Sequence, residues 1–119
     1  MAENIITQKS EDFALSCIKF YQALQKEWEF VLSKQLLRSG TSIGANIAEA
    51  NSSQSKKDFF SKICISYKEA NETRYWIELL QKSSLTQQNA SQLKDDCEEI
   101  IRILAKIKLT TENNLKENT

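Results

Sequence analysis

The chain has 119 residues, and its 16 basic and 16 acidic side chains cancel in net charge. This length suits one domain with a proper hydrophobic core, and the lack of proline and of any period-two apolar run indicates an all-α protein. The zero net charge gives no bulk signal for nucleic acid or for an anionic membrane, so such binding requires a local patch.

Targeting signals and cysteine usage point to the same compartment. No stretch of 18 apolar residues occurs, and no basic segment precedes an apolar one at the N-terminus. We therefore expect a cytoplasmic protein with no membrane partner. Cys17, Cys64 and Cys97 are odd in number and far apart, which favours buried free thiols over disulfides.

The first helix is predicted over residues 10–26, after a frayed polar start. Ser10 is a suitable N-cap, and Glu11 and Asp12 place negative charge in the first turn. No Gly, Pro or Asn marks the next turn, which we place near residues 25–29. Apolar residues at helical spacing predict an aromatic core face: Phe13, Cys17, Phe20, Tyr21, Leu24 and Trp28.

The second helix, over residues 29–50, contains a notch of small residues. Gly40, Gly44 and Ala48 follow one another at four-residue intervals inside an unbroken apolar stripe. Mid-helix glycines cost about 1 kcal/mol each relative to alanine. We therefore interpret the three positions as a place where another backbone approaches closely.

The third helix is predicted over residues 55–82, after a clear loop at 51–55. Ser55 followed by Asp58 gives it a start similar to a capping box.

The fourth helix is predicted over residues 86–110, with Ser84 or Thr86 as its cap and a disordered polar tail after Thr110. Four helices joined by short loops predict a single domain over residues 1–119. The expected architecture is an antiparallel up-down-up-down four-helix bundle.

The middle helices have a second patterned surface opposite the core. Ile65, Trp76, Leu79 and Leu80 would face water in a monomer, so we predict an oligomer interface there that uses Ile65, Trp76 and Leu79. The alternative is that the third helix is buried over a wider arc within one subunit. Polar residues of this surface predict a network that fixes register, with solvated surface charges as the alternative: Arg38, Asn46, Glu49, Glu69 and Glu72.

Catalytic and cofactor chemistry lack their usual residues. The chain has no histidine, which excludes the Glu-x-x-His di-iron site of helical bundles, and its cysteines lack zinc-site spacing. Gly40-x-x-x-Gly44 has no following Lys-Ser/Thr, so it is not a phosphate-binding loop. We expect no enzymatic activity, no catalytic residue, no metal or cofactor and no small-molecule substrate.

Two segments resemble a known bacterial family: QLLRSGTSIGANIAEA at 35–50 and KDFFSKICISYKEANETRYWIELL at 57–80. The motifs that carry the resemblance are Ser-Gly-x-Ser-Ile-Gly-x-Asn at 39–46 and Lys-Glu-Ala-x-Glu-Thr-x-x-Trp at 68–76. The family is the four helix bundle protein family, also called the 23S rRNA intervening-sequence protein family, because members are encoded within insertions in ribosomal RNA genes.

This resemblance implies a left-turning four-helix bundle that assembles as a ring, a pentamer. The chain is also distantly similar to the accessory protein of diversity-generating retroelements, which binds nucleic acid and a reverse transcriptase. Those relatives are markedly basic, whereas this chain is neutral.

Two function classes follow from the pattern and the resemblance. The first is a non-enzymatic oligomeric interaction module that binds nucleic acid, or a nucleic-acid enzyme, weakly. The alternative is a protein–protein scaffold with no nucleic-acid role. Five basic residues form the candidate nucleic-acid patch of the first class: Lys34, Arg38, Lys56, Lys57 and Lys62.

Overall fold

The computed structural model describes residues 2–117, with side chains from residue 5 onward. It has four helices: α1 (Ala2–Lys26), α2 (Leu32–Asn51), α3 (Lys56–Ser83) and α4 (Ser91–Glu117). No residue of this range is in a strand. The predicted all-α, four-helix class is therefore confirmed.

Each helix packs against the next one in the chain, and α4 also packs against α1. Between α2 and α3, Arg38 pairs with Glu72 while Glu49 pairs with Lys62. From Arg38 to Glu49 the residue numbers rise along α2, whereas those of their partners fall along α3, from Glu72 to Lys62. This is the order expected for antiparallel neighbours. The four helices form a rod of 52 × 22 × 22 Å. Within residues 2–117, no helix combines the length and apolar character needed to span a bilayer.

The helix α1 starts at Ala2, eight residues before the predicted start. Ser10 is not a cap: it lies inside the helix, is buried, and donates from its hydroxyl to the carbonyl of Thr7. The earlier start is explained by Ile6, which is buried in the core and extends the apolar stripe one turn before Ser10.

The helix α4 begins at Ser91, later than predicted, and continues to Glu117 where a disordered tail was expected. Neither predicted cap lies at its start: Ser84 ends α3, and Thr86 is five residues before Ser91, where its hydroxyl donates to Glu27 and accepts from the amide of Gln88. The side-chain oxygen of Asn89 accepts from the amide of Ser91. At the start of α3, by contrast, Ser55 accepts from the Asp58 amide at 3.0 Å, as the capping pattern predicts.

The helix α2 begins at Leu32, three residues after Glu29, and Glu29 caps it from outside. The buried Glu29 carboxylate accepts hydrogen bonds from the amides of Val31, Leu32 and Ser33 at 3.1, 2.9 and 2.6 Å. Three amides that lack partners inside the helix are thereby satisfied, and a negative charge sits at the positive end of the helix dipole. Burial alone would raise the pKa of Glu29, but the hydrogen bonds from Leu32, Ser33 and Val31 outweigh it and hold the pKa below its usual value.

The contact between α2 and α3 is closed by small polar residues. Ser39 and Thr73 are buried and share a hydrogen bond at 2.9 Å, and the Ser66 hydroxyl donates to the carbonyl of Ile43 at 2.9 Å. Because every one of these buried hydroxyls has a partner, their burial carries no penalty from an unsatisfied donor or acceptor.

Gly40 of α2 lies against Cys17 of α1 with no room for a side chain. A Cβ atom at this position would lie 2.5 Å from the sulfur and 3.3 Å from the Cβ of Cys17, which is fully buried. A Cβ at Gly44 would meet only Ser10 atoms at 3.4 Å, an ordinary contact distance. The notch is therefore tight at Gly40 and loose at Gly44.

Ala48 does not belong to the notch, because it is exposed. Eight residues at 100° each turn it about 80° from Gly40 around the helix axis, out of the α1 contact. Four-residue spacing therefore keeps Gly40 and Gly44, one turn apart, on the same face, but it does not keep Gly40 and Ala48, two turns apart, on the same face.

We expect Gly40→Ala to destabilise the protein, because overpacking costs about 1–3 kcal/mol while alanine recovers only about 1 kcal/mol of helix propensity. Gly44→Ala is the matched control and should raise the melting temperature. The cost of Gly40→Ala should shrink when Cys17→Ala removes the clashing sulfur. Thermal unfolding followed by circular dichroism compares the wild type, the three single variants and the double variant. Equal stabilisation by both glycine substitutions would contradict the notch at Gly40.

We expect Glu29→Gln to lower stability at neutral pH by about 1 kcal/mol, the usual cost of losing a helix cap. A carboxylate whose folded pKa is depressed contributes stability above its unfolded pKa of about 4.3, and this contribution disappears as pH falls through the folded pKa. The difference in melting temperature between wild type and Glu29→Gln should therefore be clear at pH 7 and small at pH 3. A difference that is the same at both pH values would rule out the charged cap; Glu11→Gln, on the exposed side of α1, controls for loss of a charge alone.

Candidate interaction surface

An ion-pair cluster joins α2 and α3 on their outer side. Arg38 donates from Nη2 to Glu72 Oε2, and its Nη1 lies 3.6 Å from Glu69 Oε2. The indole Nε1–H of Trp76 donates to the same Glu72 oxygen at 3.1 Å. Three of the five predicted network residues thus meet, and Trp76 joins them. The cluster joins α2 to α3 and gives the Trp76 indole a hydrogen-bond partner.

Charge within this cluster is not balanced, since one guanidinium faces two carboxylates. The Oε2 atom of Glu69 is buried and accepts no hydrogen bond, its nearest cation being Arg38 at 3.6 Å. The guanidinium itself is half-exposed. Solvent therefore screens the pair, and the cluster serves orientation more than stability.

The other two predicted network residues are elsewhere. Asn46 donates its side-chain amide to the carbonyl of Ser42 in its own helix, at 2.9 Å. Glu49 pairs with Lys62 at 3.1 Å, several turns from Arg38. Neither residue joins the cluster, because both lie two or more turns along α2 from Arg38.

The predicted interface residues differ in exposure. Ile65 is 42% exposed on the outer face of α3. Trp76 and Leu79 are half-buried, and Trp76 also packs against the core and stacks edge-on with Tyr75. The outer face of α2 and α3 thus presents an aliphatic side chain beside an ordered polar cluster.

The predicted basic patch is not assembled. Arg38 and Lys62 are paired with carboxylates of the same chain. Lys34 is in the first turn of α2, whereas Lys56 and Lys57 are in the first turn of α3, at the opposite end of the rod. At 1.5 Å per residue, the α2 helix separates them by about 25 Å.

Trp28 is the residue that sequence reasoning placed wrongly. It was assigned to the core stripe of the first helix, but α1 ends at Lys26, and Trp28 is 82% exposed. The backbone φ angle of Trp28 is 66°. The Trp28 amide donates to the carbonyl of Gln25, and the Glu29 amide donates to the carbonyl of Leu24, each at 3.0 Å. This is a Schellman helix end with tryptophan at the left-handed position that glycine usually fills.

A non-glycine residue in this conformation costs about 1–3 kcal/mol, and such strain accumulates at functional sites. The sequence contained one indication of this conformation. Because the turn has no Gly or Asn, the left-handed position at the helix end falls to a residue that rarely adopts it. Trp28, Phe30, Val31 and Leu85 are exposed at this end of the rod, and we call them the apical patch.

Hydrogen bonds join the two loops that carry the apical patch. The Glu27 carboxylate accepts from the hydroxyl of Thr86 and from the side chain of Gln88, which ties the α1–α2 loop to the α3–α4 loop and lowers the pKa of Glu27. The Gln25 side chain donates to the Glu29 carbonyl and to the Ser33 hydroxyl. The rings of Trp28 and Phe30 meet edge to face at 6.0 Å. The loops that expose these apolar groups are therefore tied to each other and to the start of α2.

A groove runs along the seam between α1 and α4, and we call it the α1–α4 groove. Its section near the apical end has a volume of about 320 Å³, and an adjoining section of about 230 Å³ lies farther along. Two of the lining residues, Ser16 and Asp96, belong to both sections. The remaining lining residues are apolar on the floor and polar on the rim: Lys9, Asp12, Phe13, Lys19, Phe20, Ala23, Gln88, Asn89, Gln92, Leu93, Glu99 and Ile100.

The described residues give little support to catalysis. Burial raises the pKa of the Cys17 thiol, and the nearby Cys97 raises it further. Burial also raises the pKa of Cys97 to about 12, although Arg74 opposes the shift. Both thiols therefore stay protonated and unreactive at neutral pH. Across residues 2–117, no three Cys, Asp or Glu side chains are grouped so that they could hold a metal ion.

The comparisons with known proteins agree with this fold. The chain is similar to a protein of unknown function from the S23 ribosomal protein family of Bacteroides thetaiotaomicron, whose crystal structure was determined at 1.70 Å. The two are 45% identical with a TM-score of 0.86, over 91% of this chain and 98% of that chain. No curated protein matches the chain, and the expected similarity to the retroelement accessory protein is not shown. The model of the 23S rRNA-intervening sequence protein family matches residues 2–106, so the chain belongs to that family, as the resemblance of its motifs predicts.

Proposed function

We propose that the protein is a non-enzymatic interaction module that self-associates through the outer face of α2 and α3. The observation that carries the proposal is the combination of exposed Ile65 with the ordered cluster of Arg38, Glu72 and Trp76 on one face. Interface centres combine an apolar anchor with Trp and Arg side chains held in fixed orientations.

The shape of this face supports a flat contact. Opposite Ile65, the α2 helix presents Ser42 and Ala45, whose short side chains leave room for an approaching helix. The half-exposed Arg38 and the carboxylates around it would lose water on association. A partner that leaves their mutual pairing intact avoids the larger cost of separating them.

The distribution of cations supports a protein partner over a nucleic acid. A nucleic-acid surface needs several cations along one track, because each neutralised phosphate contributes to affinity. Here two of the five predicted cations are paired internally, and the other three lie at two ends of the rod. Nucleic-acid binding through that patch would be weak and would vanish with added salt.

We expect light scattering after gel filtration to give a mass several times the 13.7 kDa of one chain. Ile65→Arg should reduce this mass, because it places a charge in the centre of the apolar contact. Leu109→Arg, at a position that is 59% exposed on α4, is the matched control and should leave the mass unchanged. A wild-type mass of one chain at micromolar concentration would contradict the proposal.

A filter-binding titration with duplex DNA, structured RNA and single strands tests the alternative role. We expect retention only at low ionic strength, and Lys56→Glu with Lys57→Glu should abolish it. Tight binding that resists salt would show that nucleic acid, and not a second copy, is the main partner.

A further inference from the structure

We propose that the apical patch docks on a lipid bilayer, with this end of the rod inserted among the headgroups. Trp28 and Val31 are 82% and 72% exposed, and Phe30 and Leu85 are exposed at the same end. Single exposed apolar residues are ordinary on proteins, but four large ones on two joined loops mark a contact surface. We expected no membrane partner because the sequence has no spanning segment, yet a peripheral contact through the end of the rod requires none.

The backbone at Trp28 indicates that this side chain has a role outside the fold. Its φ angle of 66° lies in the left-handed region, where glycine would be more stable. The indole ring meets the ring of Phe30, which is itself exposed, at 6.0 Å. A large apolar side chain at this position therefore costs stability and adds little to the core, whereas its burial in lipid would offset that cost.

The size of the apical end favours a bilayer over a folded protein as the occupant. The rod is 22 × 22 Å in cross-section, so its end offers about 480 Å². A stable protein–protein contact buries about 800 Å² on each partner. A protein seated on this end alone would bury too little surface. A fluid bilayer instead surrounds an inserted tip, so the flat area of the end does not limit the contact.

The polar residues next to the patch fit the layers of a membrane surface. Lys26, Lys34 and Lys82 are exposed and lie within one helix turn of the two loops. Long cationic side chains of this kind can follow apolar groups inward while their charges stay at the headgroups. An indole has the same preference, because its ring is apolar and its N–H needs a polar partner. The apolar tip and its polar surroundings thus match the acyl boundary and the headgroups.

Apolar burial, more than charge, would drive the binding. The three lysines and the ionised carboxylates of Glu27 and Glu29 give this end a net charge of +1, apart from the paired Lys94 and Glu78. Insertion leaves both carboxylates with their partners, since Glu29 bonds to amides of α2 and Glu27 bonds to the α3–α4 loop. Binding should therefore occur on zwitterionic lipid and increase only modestly on anionic lipid.

Co-flotation with vesicles tests the docking. The full chain is mixed with vesicles of phosphatidylcholine alone, or of phosphatidylcholine with an equal part of phosphatidylglycerol, and centrifuged through a density gradient. We expect the wild type to float with both. Added salt should leave most of the binding in place, because salt screens charge but does not weaken apolar burial.

Fluorescence shows whether the patch itself enters the lipid. In a Trp76→Phe protein, Trp28 is the remaining indole. Its emission should shift to the blue on both kinds of vesicle and should be quenched by lipids with brominated acyl chains.

Two variants of the patch should bind less without losing the fold. Trp28→Gly places the preferred residue at the left-handed position, so it should melt at or above the temperature of the wild type. Its partition coefficient on vesicles should fall at least about 10-fold, the loss expected for one large buried apolar side chain. Val31→Glu places a charge in the patch and should also reduce flotation. Leu109→Glu, at a position that is 59% exposed toward the other end of α4, is the matched control and should float as the wild type does.

The docking and the proposed self-association can fail separately, because they use the end and the side of the rod. Ile65→Arg should lower the mass in solution and keep the blue shift of Trp28 on vesicles. A wild type that is monomeric but floats would overturn the proposed self-association alone.

Four results overturn the docking on lipid. The first two are a wild type that floats with neither kind of vesicle and a Trp28→Gly protein that floats as well as the wild type. The third is binding to the anionic vesicles alone that disappears with salt, because the lysines would then carry the contact. The last is a Trp28 emission that responds to protein concentration or to oligothymidylate but not to vesicles, which assigns the patch to a second copy or to a single strand.

Discussion

The close approach of α2 to both of its neighbours is the constraint on which the bundle depends. On one side, Gly40 leaves no room for a Cβ atom against Cys17 of α1. On the other, Ser39 and Thr73 share a buried hydrogen bond across the α3 contact. Helices separated only by small residues cannot slide without opening voids or clashes, since interiors pack as densely as crystals. The register of three helices is set at this level of the rod.

That register decides what the surface presents. With Ser39 facing Thr73, Arg38 comes next to Glu72, and Glu72 in turn holds the Trp76 indole. At the end of the rod, Glu29 caps α2 and thereby fixes the loop that carries Trp28. The outward-facing groups are therefore preorganised by the same contacts that stabilise the fold, and preorganised groups lose less entropy on binding.

Much of the fold could be predicted from the sequence, because helical periodicity and the Ser55 cap are local signals. Boundaries were harder: Ile6 extends α1 by packing in the core, which its polar neighbours conceal, whereas α4 continues past Thr110 although none of the described residues after Ile107 is buried. The polar cluster was predicted in part, since Arg38, Glu69 and Glu72 lie at matching heights on antiparallel helices. The apical patch was missed because Trp28 follows Leu24 at helical spacing although it lies two residues beyond the true end of α1. With no Gly or Pro in this loop, the apolar pattern alone does not show where the helix ends.

The central claim is that a second copy covers the outer face of α2 and α3. Its most direct test is acrylamide quenching of tryptophan fluorescence in a Trp28→Phe protein, where Trp76, half-buried on this face, is the remaining indole. We predict that Trp76 is shielded from acrylamide at high protein concentration and becomes more accessible on dilution. Access to acrylamide that is the same at every concentration, in a protein that light scattering shows to be associated, would contradict the claim.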